Sequence, residues 1–85
     1  MWCSFVDDPD VAPPQVAFAF SRALGNAVTR NRLRRRLRAI LSNADVPNGL
    51  LLFGGRPPLG ELTFAQLEIR VAALLDAAQH ARAHP

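Results

Sequence analysis

The chain has 85 residues, a formal net charge of +3 and a single cysteine, Cys3. That length supports one domain, 1–85, and leaves little room for a deep, water-free catalytic pocket. It excludes an internal disulfide, no apolar run approaches the ~20 residues that span a bilayer, and no basic-then-apolar leader opens the chain, so we read a cytoplasmic domain without membrane contact.

Met1 to Val6 is apolar and partly aromatic, which suits a short strand. Asp7-Asp8-Pro9-Asp10 and Pro13-Pro14 follow, and this is turn chemistry. Gln15 to Ser21 alternates as a second strand, with Val16, Phe18 and Phe20 on one face and Ala17, Ala19 and Ser21 on the other. The two strands are expected to form an antiparallel hairpin. Gly25-Asn26 opens a helix whose apolar face holds Leu33, Leu37, Ile40, Leu41 and Ala44. It fades at Ser42-Asn43 and cannot pass Pro47. Leu50 to Phe53 is continuously apolar, as expected of a strand buried on both faces. Residues 54–60 read as a loop. Thr63 and Gln66 match a capping box. The second helix then runs to about Ala81, with Phe64, Leu67, Val71, Leu74, Leu75 and Ala78 facing the core. The order β-β-α-β-α predicts a small α+β domain with two helices on one face of a sheet.

The charge is distributed very unevenly. All ten basic residues are arginine, and seven of them (Arg22, Arg30, Arg32, Arg34, Arg35, Arg36, Arg38) fall within seventeen residues, while no acid lies between Val11 and Ala44. On the first helix Asn31, Arg34, Arg35 and Arg38 form a ridge beside the apolar face. Arg30/Arg34, Arg32/Arg36 and Arg34/Arg38 are like-charge pairs at i,i+4, each costing roughly 0.2–0.5 kcal/mol in an isolated helix. Phosphate neutralisation offsets such strain through counterion release, and the guanidinium fork grips phosphate bidentately. Ordinary solvated helices intersperse both signs. Composition leaves DNA and RNA open as the polyanion.

Other signals carry less. Asp7, Asp8 and Asp10 beside Pro9 read as a turn rather than a cation site. His80 and His84 are spaced i,i+4 but have no third ligand nearby in sequence. Cys3 reads as a small buried hydrophobe, and Gly54-Gly55 lacks the Lys-Ser/Thr of a phosphate loop. No catalytic residue stands out.

The stretch Ser21-Arg22-Ala23-Leu24-Gly25-Asn26-Ala27-Val28-Thr29-Arg30-Asn31-Arg32-Leu33-Arg34-Arg35-Arg36-Leu37-Arg38 closely resembles the signature of the bacterial ribonuclease P protein family. That signature is a strand, a Ser followed by basic residues, a Gly-Asn-Ala-Val turn and an Arg-Asn-Arg helix. Its pattern of Arg-Asn-basic-apolar-basic-Arg-x-apolar-basic is filled from Arg30 to Arg38. Trp2 to Val6, Leu50 to Phe53 with Arg56-Pro57, and Leu62 to Glu68 resemble its first strand, last strand with Arg-Pro loop, and final helix. The resemblance covers about Met1 to Ala78.

The resemblance implies a left-handed β-α-β crossover and a division of labour. An RNA subunit holds the catalytic Mg2+ and cleaves the 5′ leader from precursor tRNA; the protein binds no cofactor and supplies no catalytic group. The arginine helix, through Arg30, Asn31, Arg32, Arg34, Arg35 and Arg38, is expected to dock on the ribonuclease P RNA. The exposed sheet face and its edge, at Ala17, Ala19, Ser21 and Arg22, are expected to hold the leader. The resemblance also implies a basic, aromatic helix ahead of the first strand, which family members usually carry; without it, Trp2, Phe5 or Val6 are expected to lose cover. Where the family often has two lysines after the serine, Arg22 and Ala23 stand here. A general nucleic-acid-binding module and a truncated, non-functional family member are the alternative readings.

Overall fold

The computed structural model describes residues 1–83, with side chains to residue 80. His84, half of the His80/His84 pair, lies outside the described residues. The elements are β1 (Trp2–Asp7), β2 (Gln15–Ala19), α1 (Ala27–Ser42), β3 (Gly49–Gly54) and α2 (Phe64–Ala83). The β-β-α-β-α order and the α+β class are as expected. Short 3-10 turns occupy Arg22–Leu24, beyond the end of β2, and Leu59–Glu61, ahead of α2.

The expected hairpin between β1 and β2 does not form. The sheet order is β1-β3-β2, with β1 antiparallel and β2 parallel to β3. The reason lies in the connection, which hydrogen-bonds the start of β3 instead of closing on itself. Asp8 N donates to the Asn48 carbonyl (3.4 Å) and Gly49 N to the Val11 carbonyl (3.1 Å). The connection therefore straddles β3, the most apolar strand, which takes the central slot. β2, α1 and β3 make the β-α-β crossover.

Both helices cover one sheet face. Leu33, Leu37, Ile40 and Leu41 of α1 join Leu67, Val71 and Leu75 of α2, and Leu51 and Phe53 of β3, in one buried cluster. Cys3, Phe5, Val16 and Phe18 pack against it. Phe5 therefore faces inward and needs no further cover, while Trp2 and Val6 are exposed. The expectation that β3 is buried on both faces also fails: Leu51 and Phe53 are fully enclosed, but Leu50 and Leu52 are exposed. No helix among the described residues covers their face. Phe64 is exposed as well; as the first residue of α2 it precedes the turn at which the helix meets the core, and Leu67 makes that contact.

Local chemistry fixes the helix ends. Gly25 takes φ 128°, a conformation that L side chains rarely adopt. It turns the chain out of the Arg22–Leu24 turn and into α1. Asn26 then caps the helix, its Oδ1 accepting from Thr29 N at 2.9 Å, which contributes about 1 kcal/mol. The capping box on α2 is present as read: Thr63 N donates to Gln66 Oε1 (2.9 Å) and Gln66 N to Thr63 Oγ1 (3.2 Å). The acidic connection is a turn, in which Asp8 Oδ1 accepts from Asp10 N at 3.0 Å and the Asp8 carbonyl from Val11 N at 3.0 Å.

Candidate nucleic-acid interface

The first helix shows two distinct faces. Leu33, Leu37, Ile40 and Leu41 are buried, while Asn31, Arg32, Arg35 and Arg38 are exposed and Arg30, Arg34 and Arg36 are half-buried. The helix carries no acid, and its first turn has none to complement the positive end of its dipole. The helix therefore presents positive charge along its length with no carboxylate of its own to offset it.

The ridge is anchored to the rest of the fold. Arg34 Nη1 donates to Asn31 Oδ1 at 2.9 Å, and the Arg34 guanidinium lies over the Phe20 ring, 5.7 Å from its centroid. The Arg38 guanidinium lies over Phe18 at 5.2 Å. Since β2 is an edge strand, these contacts set the arginine ridge beside the edge of the sheet. Arg30 Nε is buried without a hydrogen-bond partner.

The open face of the sheet is the second surface. Ala17 aligns with Leu52 and Ser4 across the three strands, and Ala19 with Gly54 and Trp2. Ala17 and Ala19 are both exposed. A shallow groove of about 370 Å³ runs over Ser4, Val6, Gln15, Ala17, Leu50 and Leu52. The Trp2 indole lies directly on Gly54, where any Cβ would collide with it. Ser21 and Arg22 are exposed beyond the end of β2, with the Ser21 carbonyl accepting from Leu24 N at 3.1 Å. All ten residues singled out from the sequence are thus on, or half-way to, the surface. They divide into a helical ridge and a sheet face that meet at β2.

A separate cleft of about 370 Å³ at the sheet end is lined by Trp2, which is 45% exposed, together with Arg56, Pro57, Leu62 and Arg70. Arg56 was legible as part of an Arg-Pro loop but not as a neighbour of Trp2. The pairing of β1 with β3, which sets Trp2 beside Gly54, creates that proximity. Cys3 is no nucleophile candidate: burial pushes its thiol above the ordinary range, so it stays protonated near neutral pH.

A three-stranded mixed sheet with both helices on one face, and a cationic crossover helix at its edge, defines a small basic α+β domain. The chain belongs to the Ribonuclease P family, whose model matches residues 3–79. It is 44% identical to the ribonuclease P protein component of Beutenbergia cavernae over 59 residues, 66% of this chain and 50% of that protein. It is 38% identical to that of Thermobifida fusca over 86 aligned positions, covering 93% of this chain and 56% of that protein. The chain therefore spans about half the length of these curated relatives. Its fold matches the solved structure of the Staphylococcus aureus RNase P protein with a TM-score of 0.75 at 20% identity, over 89% of this chain and 72% of that one.

Proposed function

We propose that this chain is the RNA-binding protein subunit of ribonuclease P, which assists a catalytic RNA in removing the 5′ leader from precursor tRNA. The observation that carries the reading is the junction at β2: an acid-free arginine helix on one side and an open, small-residue sheet face on the other. A duplex-rich RNA meets the ridge through phosphates, to which Arg30, Arg32, Arg34, Arg35 and Arg38 offer guanidinium forks and Asn31 an amide. A single strand lies along the open face, where Ala17 and Ala19 leave room for it and Ser21 and Arg22 meet its backbone. The Trp2 ring offers a surface on which a base stacks. The magnesium ions that activate water belong to the RNA subunit, and no protein side chain is assigned a catalytic role. The ribonucleoprotein works in the cytoplasm, where precursor tRNA is made.

The leader assignment has a direct test. Ala17→Asp sets a carboxylate in the groove beside Leu52 and Ser4. It repels a phosphate strand there without touching α1. Preference for precursor over mature tRNA is expected to fall about tenfold, with affinity for the RNA subunit changed less than about twofold. Equilibrium binding of both tRNAs to the reconstituted complex measures this. An unchanged preference removes the leader from this face.

A further inference from the structure

We propose that Phe18 and Phe20 are positioning residues for RNA binding: their rings hold the Arg38 and Arg34 guanidiniums in the geometry in which they receive phosphates. This rests on the reading of α1 as the RNA-docking helix. Both rings have an evident packing role. Phe20 is buried, and Phe18 packs against the core and tilts against Phe53 at 6.2 Å between centroids. The arrangement at the sheet edge goes beyond packing.

Phe18 and Phe20 stack on each other at 5.4 Å with 25° between their planes, and each carries one guanidinium, Arg38 at 5.2 Å and Arg34 at 5.7 Å. The order reverses along the two elements, so α1 runs against β2. The spacings match: two residues along a strand advance about 6.7 Å, and four along a helix about 6 Å. An i,i+2 aromatic pair, Phe18 on β2 and Phe20 just beyond its end, is therefore in step with an i,i+4 arginine pair on the helix. Arg34 is gripped twice, by the Phe20 ring and by Asn31 Oδ1 at 2.9 Å.

The consequence is preorganisation. A free arginine side chain loses rotamer freedom when it docks on phosphate, and one already held against a ring loses less. The ring face takes none of the guanidinium's five N–H donors, so stacking leaves the fork available for a bidentate phosphate contact. Stacking also eases the repulsion between Arg34 and Arg38, since each charge sits over the negative face of a separate ring. Lysine cannot replace arginine here at no cost, because a compact ammonium lacks the planar, forked guanidinium that can meet a ring and phosphate at once.

The test is a double-mutant cycle on the whole chain, read as affinity for a bacterial ribonuclease P RNA transcript over a range of salt. Arg38→Lys keeps the charge and is exposed, so the fold is not at risk. It is expected to weaken binding about two- to fivefold with the salt slope unchanged. Phe18→Leu is expected to do the same, Phe18→Tyr to retain affinity, and the Phe18→Leu/Arg38→Lys pair to be no weaker than either single change. The Arg38 side-chain protons are expected to show upfield ring-current shifts in the parent protein that vanish in Phe18→Leu. Losses that multiply in the double variant, or Arg38 protons without ring-current shifts, overturn the proposal. So does unchanged affinity in Phe18→Leu when Arg38→Ala weakens binding; that result leaves the docking helix standing. If Arg38→Ala changes neither affinity nor salt slope, the docking helix and the positioning role fall together.

Discussion

Changing Arg34, Arg35 and Arg38 together to alanine is expected to lower affinity for a ribonuclease P RNA by roughly 10²–10³-fold at about 0.1 M salt. Each phosphate contact releases close to one counterion, so the slope of log affinity against log salt is expected to fall by about two to three units. The fold should survive. Alanine is the better helix former, and the change removes the Arg30/Arg34 and Arg34/Arg38 repulsions; the lost contacts with Phe20, Phe18 and Asn31 lie at the rim of the core, and Leu33, Leu37, Ile40 and Leu41 keep the buried face of the helix. Thermal unfolding should therefore show a shift of only a few degrees. Arg70→Ala, on α2 and away from the ridge, is the control for the loss of a single charge and should leave the slope nearly unchanged, whereas each single ridge variant should lower it by a little under one unit. Equal loss at Arg70 and at each ridge position would mean that net charge alone draws the RNA.

The largest stability loss is expected at Phe53. Its ring is fully enclosed near the end of β3, in the cluster shared with both helices and tilted against Phe18. Phe53→Ala should cost about 3–5 kcal/mol through lost burial and the cavity left behind. A domain of this size holds roughly 4–13 kcal/mol in total, so the variant is expected to be partly unfolded at room temperature, or close to it. Leu52→Ala, one residue away on the open face and 38% exposed, should cost less than about 1.5 kcal/mol. Urea unfolding of the two variants reads the difference. Similar costs at both positions would contradict the one-sided burial of the sheet.

Much of this was legible in the sequence because the local signals agree with the fold. The alternation of Val16, Phe18 and Phe20 against Ala17 and Ala19 set the two faces of β2. The period of Leu33, Leu37, Ile40 and Leu41 set the buried face of α1, and Thr63 with Gln66 marked the start of α2. Strand pairing was not legible. Turn-rich residues between β1 and β2 are compatible with a hairpin, and nothing local says that Asp8 and Val11 hydrogen-bond Asn48 and Gly49 instead. The exposure of Leu50 and Leu52 was hidden for a related reason. A continuous apolar run normally means helices on both sides, whereas here both helices lie on one face and the other side of the run forms part of the candidate leader surface. The ridge was visible as spacing, but its contact with Phe18 and Phe20 depends on how α1 lies against β2, which no periodicity encodes.

The most direct measurement is precursor-tRNA cleavage by a bacterial ribonuclease P RNA at low magnesium, with and without this protein. A cation-rich docking helix and a leader face should raise cleavage when the protein is added, by neutralising phosphates that magnesium otherwise must screen. The account predicts stimulation by the parent chain, little or none by the Arg34/Arg35/Arg38 triple-alanine variant, and no cleavage by nuclease-free protein alone. Cleavage without the RNA subunit, or stimulation that survives loss of the ridge undiminished, would contradict it.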